Sequence, residues 1–162
     1  MGPDPAGDWT QALLRLLAAT AVGGALGLNR ELSDKPAGLR THALVALGSA
    51  LMAIIAVQLA DEGGRVHVDA ASRVVQGVIA GIGFIGGGVI LHKDGRNVQG
   101  LTTAATIWVA AALGIACGLG LWQTAVMTVI VVLVVLVVGR FVEGALKRYR
   151  RPRPDGGTSR KE

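Results

Sequence analysis

The sequence predicts an all-α fold, a polytopic membrane bundle of about five transmembrane helices packed through glycine. Three observations predict it. Apolar residues make up 51% of the 162 residues and charged residues only 17%, against about 25% charged in an average soluble domain. Mean hydropathy is +0.52. Five separate apolar stretches are each long enough to cross about 30 Å of hydrocarbon as a helix.

An N-terminal arm, residues 1–8, precedes the first stretch, residues 9–28, WTQALLRLLAATAVGGALGL. Ala19-Thr20-Ala21 resembles a signal cleavage site. No basic residue precedes the run and the run is long, so it reads as a retained span. Arg15 lies about 9 Å along it from Trp9 and is expected to snorkel to the headgroups. The second stretch, residues 39–60, follows NRELSDKPAG. Pro36 suits a first helical turn, where its missing N–H costs nothing, and is expected to open this helix. The third stretch, residues 74–91, holds the glycine cluster; the fourth covers residues 101–119 and the fifth residues 122–142. Only Gly120 and Leu121 separate the last two. They read as two spans, because so many apolar residues exceed one crossing. Residues 143–162 form a basic tail of disordered composition, suited to anionic lipid.

Lys and Arg placement orients the bundle. With the N-terminus outside, the inner side collects 12 bases and the outer side 2. Trp9 and Trp122 then both fall at the outer interface, where indoles prefer to sit. The net charge of +5 gives no case for nucleic acid, since no recognition motif accompanies the bases. The single cysteine, Cys117, excludes an internal disulfide and reads as a small packing residue.

Gly81-x-Gly83-x-x-Gly86 has the spacing of a dinucleotide-binding loop. That loop needs a strand before it, a soluble helix after it and an acid about twenty residues on. Here it sits inside an apolar run, with LTTAAT at the acid's place. Helical spacing accounts for the glycines better. At about 100° per residue, Gly77, Gly81 and Gly88 share a sector of about 40°, and Gly83 and Gly87 share another. Small residues let helix backbones approach closely in lipid. Two glycine faces place the third helix at the centre of the bundle, with Gly86-Gly87-Gly88 read as tight packing. Ala19, Gly23 and Gly27 make a similar stripe on the first stretch, as do Ala110, Gly114 and Gly118 on the fourth. The second has Ala46 and Ala50; the fifth has no stripe and is expected at the lipid-facing edge.

Polar residues gather at the inner helix ends. Arg30, Glu31, Lys35, Arg40, Thr41 and His42 surround the first loop, with Glu31 expected to pair with Arg40 or Lys35. Asn97, Thr102 and Thr103 lie around the third, after a turn signal at Asp94-Gly95. The threonine hydroxyls are placed to cap the fourth helix or to back-bond to it. Together these nine form the candidate functional cluster. Outside, Asp61, Glu62 and Asp69 are weak candidates for a divalent cation, since a site needs several converging oxygens. No nucleophile–base set, paired intramembrane carboxylates or His/Cys metal spacing is present. The chain is therefore not expected to be an enzyme or to carry a cofactor.

The stretches KPAGLRTHALVALGSAL, GIGFIGGGVIL and VQGLTTAATIWVAAALG resemble the hallmark segments of the MgtC/SapB membrane family. The resemblance covers about residues 13 to 140. Arg30 and Glu31 match that family's acidic-Arg-Glu step, with Asn29 where an acid is usual, which puts an ion-binding role of that corner in doubt. Gly87 stands where Ala is common. The resemblance implies a bacterial inner-membrane protein acting around magnesium limitation, acid stress and, in pathogens, survival inside host cells. It implies action through binding other membrane proteins, with longer relatives carrying a cytoplasmic domain after the fifth helix that is not expected here. A small cation (Mg²⁺) transporter or channel, alone or as a homo-oligomer, with Glu31, Arg40, His42 and Asn97 along its path, is the alternative.

Overall fold

A computed structural model describes residues 5–62, 65–66, 68–93 and 97–149. Five long helices dominate: α1 (Pro5–Glu31), α2 (Leu39–Ala60), α3 (Val68–Val89), α4 (Leu101–Gly118) and α5 (Trp122–Tyr149). Each is long and apolar enough to cross a membrane. Two short antiparallel ribbons lie between them. β1 (Asp61–Glu62) pairs with β2 (Arg65–Val66) before α3, and β3 (Leu91–Lys93) pairs with β4 (Asn97–Gln99) before α4. The ribbons were not foreseen, because strands of two or three residues leave no periodicity to read. The Asp94-Gly95 turn falls outside the described residues.

Small side chains set the packing. Ala46 and Ala50 of α2, both fully buried, face α1 on one side and α4 on the other. A Cβ on Gly23 of α1 would stand 2.5 Å from the His42 carbonyl oxygen and 2.7 Å from the Ala46 Cβ. One on Gly27 would stand 2.6 Å from the Gly38 oxygen. From α4, a Cβ on Gly114 would strike the Ala46 carbonyl, and one on Gly118 would stand 2.5 Å from the Ala50 oxygen. These three backbones therefore touch, as small-residue faces permit in lipid. Ala19, Leu26, Ala110, Leu113 and Cys117 fill the remaining core.

The centre of the bundle is therefore α1, α2 and α4, and the expectation of a central third helix is corrected. In α4, 56% of the spanning window is buried; in α3 only 11% is. Gly77, Gly81, Gly83, Gly87 and Gly88 are exposed, and a Cβ on any of them would meet nothing within 4 Å. The face of α3 turned to α4 carries Val78, Ile82 and Gly86 instead, around Ile107 and Ala111. As expected, α5 lies at the edge, with 6% of its window buried.

Helices α4 and α5 are separate, divided at Gly120. Its φ of +77° is left-handed. The Gly120 N–H donates to the Cys117 carbonyl and the Leu121 N–H to the Ala116 carbonyl, both at short range (2.9 and 2.8 Å). This is the paired closure of a Schellman motif. Arg15 completes it. Its Nη1 donates to the Gly118 carbonyl at 2.8 Å, placing a cation at the negative end of the α4 dipole. Arg15 thus ties α1 to α4 rather than snorkelling. At the opposite end, Arg140 Nη1 of α5 donates to Ser33 Oγ in the α1–α2 loop at 2.7 Å.

Several boundaries differ from the sequence expectation, among them α3, expected over residues 74–91 and found at Val68–Val89. Helix α1 starts at Pro5, four residues before Trp9, within the segment read as an arm. Pro36 lies ahead of α2, which starts at Leu39. Helix α5 runs on past Val142 to Tyr149, because residues 143–149 carry no helix breaker except Gly144.

Replacing Gly120 with Ala forces a side chain into the left-handed region and toward Arg15. It should destabilise the chain by about 1–2 kcal/mol. Gly139→Ala, in open space on α5, should leave stability unchanged or slightly raised. Thermal unfolding of both variants in detergent checks this contrast.

Candidate functional site

The nine predicted polar residues separate into two layers at the end of the bundle where α1 ends and α2 and α4 begin. Arg30, His42 and Thr103 are buried, at 6%, 0% and 1% exposure. Glu31, Lys35, Arg40 and Thr102 are exposed, and Thr41 is half-buried. Asn97 pairs through its backbone with Lys93 in the β3–β4 ribbon; its side chain lies outside the described residues.

The inner layer is one hydrogen-bonded chain across three helices. Arg30, in the last turn of α1, donates from Nη2 to Thr103 Oγ1 in the first turn of α4, at 2.9 Å. Thr106 lies one turn further along α4, with its Oγ1 2.9 Å from the Thr103 carbonyl and 3.0 Å from His42 Nε2. His42 Nδ1 lies 3.0 Å from the Gly38 carbonyl. A carbonyl can only accept, so Nδ1 carries a proton. The Thr106 hydroxyl has one proton, so it donates either to Nε2 of a neutral ring or to the Thr103 carbonyl while accepting from Nε2 of a doubly protonated ring. The network sits where the backbone packing leaves room. Gly38, His42 and Ala46 follow one another at four-residue steps, so the face of α2 that carries Ala46 to α4 carries His42 to Thr106.

Sequence reasoning missed Thr106 and the Gly38 carbonyl. Thr106 follows Thr103 by three residues, on one face of the helix, and that spacing was the available signal.

The outer layer is an open cleft of about 510 Å³ lined by Glu31, Asp34, Lys35, Gly38, Leu39, Arg40 and Thr41. Glu31 forms no ion pair with Arg40 or Lys35 among the described residues. Its Oε2 instead accepts the Leu39 N–H at 2.9 Å and caps α2. A carboxylate at a helix N-terminus meets both an unpaired donor and the positive end of the dipole. This local gain outweighs a solvent-exposed pair worth about 0–1 kcal/mol. The loop holds this geometry with Asp34 and Ala37 at positive φ, 52° and 59°.

Hydroxyl capping of α4 is not observed. Its N-cap is Gly100 at φ 91°, with no side-chain cap bond. A Cβ on Gly100 would strike the Val89 carbonyl. At the other end of the bundle, Asp61 and Glu62 lie in β1 with side chains outside the described residues, and Asp69 is exposed in the first turn of α3. Among the described residues no group of three metal-ligating side chains forms.

The geometry divides this end into a buried bracing network and an accessible charged cleft. The network makes it costly to remove one polar partner. Thr106→Val should destabilise the chain by about 1–3 kcal/mol, because His42 Nε2 is left buried and unpaired. The double variant Thr106→Val/His42→Leu should recover much of that loss, since replacing both partners removes the unmet group. A double-mutant cycle of unfolding free energies in detergent measures the coupling.

Comparison with known proteins adds an independent finding. A family model for the MgtC family matches residues 16–145. The chain is 50% identical over 126 residues to Protein SrpB of Synechococcus elongatus, covering 74% of this chain and 69% of that protein. It is 40% identical over 121 residues to Protein MgtC of Salmonella typhimurium, covering 75% of this chain and 49% of that protein. An uncharacterized protein of Haemophilus influenzae is 37% identical over 142 residues, covering 86% of this chain and 60% of that protein. The match thus spans about half to two thirds of these relatives' own lengths. No solved structure matches the chain.

Proposed function

The chain belongs to the MgtC family, and on that premise we propose that it is a regulatory or interaction protein of the bacterial inner membrane. It acts by binding other membrane proteins during adaptation to magnesium limitation or acid stress. Its N-terminus faces outward, and the Arg30 end of the bundle faces the cytoplasm, as the distribution of Lys and Arg favours.

One observation carries the reading over a transport role. Among the described residues the buried Arg30 and His42 lie at one helix end with Thr103 and Thr106, the part-buried Arg15 lies at the other, and Ser49 is the one buried polar side chain near mid-span. Between them Ala19, Ala46, Ala50, Ala110 and Leu113 fill the core, with backbones in direct contact at Gly23 and Gly114. That packing favours a rigid frame over an aqueous path, since ion pathways are lined by polar or ionisable groups. What the frame presents is the cleft of Glu31, Lys35, Arg40 and Thr41, where the exposed Lys35 and Arg40 can meet a partner while Glu31 caps α2.

Crosslinking in native membranes at low and high Mg²⁺, followed by identification of the captured proteins, tests this. A discrete membrane partner, captured more strongly at low Mg²⁺, is expected. Arg40→Ala should weaken that capture several-fold without changing expression, because the exposed Arg40 side chain forms no hydrogen bond or ion pair among the described residues. Absence of any repeatable partner would oppose the reading. So would Mg²⁺ flux from the purified chain in proteoliposomes that is lost in Glu31→Gln.

A further inference from the structure

Arg30 is a buried cation with no counter-charge among the described residues. Only 6% of the residue is exposed. Its guanidinium makes one hydrogen bond, from Nη2 to Thr103 Oγ1, and its buried Nε has no partner. Among the described residues no carboxylate lies within ion-pair distance of it. The neighbouring Glu31 is committed to the Leu39 N–H, and Asp34 lines the open cleft. Buried charges are ordinarily paired, because an isolated one forfeits its hydration with nothing in return.

The helix against which Arg30 rests adds to the imbalance. Thr103 lies in the first turn of α4, an 18-residue helix whose N-cap, Gly100, supplies no side-chain acceptor. The first N–H groups of a helix have no intrahelical acceptor. Those of Leu101, Thr102 and Thr103 find none elsewhere among the described residues. The positive end of the α4 dipole therefore faces a guanidinium, an arrangement that repels until an anion enters. Helix N-termini with a nearby Arg are ready-made oxyanion sites.

We propose that the first turn of α4 and the Arg30 guanidinium together form a binding site for a phosphate-bearing anion. The exclusively donating set of Nε–H and backbone N–H groups suits a tetrahedral oxyanion, which offers more acceptor oxygens than a planar carboxylate. The site lies where the first span ends at Glu31 and the fourth begins at Leu101. This is headgroup level, where a phospholipid phosphodiester and a free phosphate can both reach it. Leu101 and Thr102 are exposed, so this helix end is open at the surface, and an anion there reaches the covered Arg30 Nε by a shift of the Arg30 side chain.

The purified full chain, stripped of lipid by detergent exchange, tests the proposal in two arms. One receives sodium phosphate and the other short-chain phosphatidylglycerol, each against sodium chloride at matched ionic strength. A rise in Tm of at least about 3 °C is expected in one or both arms. The arm that responds identifies the source of the phosphate. Arg30→Gln should lose the rise, and Arg148→Gln, on the exposed end of α5, should keep it. Thr102→Asp provides a variant that does not remove the buried cation. It places a carboxylate at the same helix end, so it should raise Tm without ligand and abolish the response to phosphate. No rise above chloride in either arm overturns the proposal. So does a rise that survives in Arg30→Gln or Thr102→Asp, or one that is lost in Arg148→Gln.

Discussion

The structure depends on backbone contact on both sides of α2. Apolar burial gives helices little reason to associate in lipid, so dispersion between closely approaching backbones must supply it. Gly23 and Gly27 of α1 press on the His42 to Ala46 turn and on the Gly38 carbonyl. Gly114 and Gly118 of α4 press on Ala46 and Ala50 from the other side. None of these four positions has room for a methyl group. Ala46 is therefore a point through which three helices fix one another's distance and rotation.

The polar end follows from that constraint. Once α2 is locked against α4 at Ala46, the position one turn earlier, His42, is carried into the same seam. It finds Thr106 there, and Thr106 shares its helix face with Thr103. Helix α1, held at Gly27 against Gly38, then brings Arg30 to Thr103. The opposite end is fixed the same way, by Arg15 at the Gly118 carbonyl. The charged groups thus brace the two ends of a seam whose middle is filled by small residues, alanines and glycines with the buried Ser49 beside them. Helices α3 and α5 attach to this unit over smaller faces, which leaves Gly77, Gly81, Gly83, Gly87 and Gly88 of α3 without a close neighbour among the described residues.

Much of this was legible in the sequence. Small residues at four-residue steps are a local pattern, so the stripes on α1, α2 and α4 could be read directly. The glycines of α3 show the same pattern without the same outcome. Composition reveals which face permits close approach, not whether a partner occupies it, so glycine density was misread as centrality. Glu31 was expected to pair with a base, yet α2 begins just where its carboxylate can cap the helix, and only the loop geometry reveals this. The burial of Arg30 was equally hidden. A base at the end of a span ordinarily reaches water, and its burial here comes from the approach of α4, 73 residues away. The family match was readable because three motifs occur in order, and the comparisons support it independently.

The most direct test of the central claim is a glycine-to-alanine scan, read as unfolding free energy in detergent. Backbone contact through α2 predicts losses of about 1–3 kcal/mol at Gly23, Gly27, Gly114 and Gly118. It predicts no loss at Gly77, Gly81, Gly83 and Gly87. Losses concentrated on the α3 glycines, with the other four tolerant of a methyl group, would contradict it.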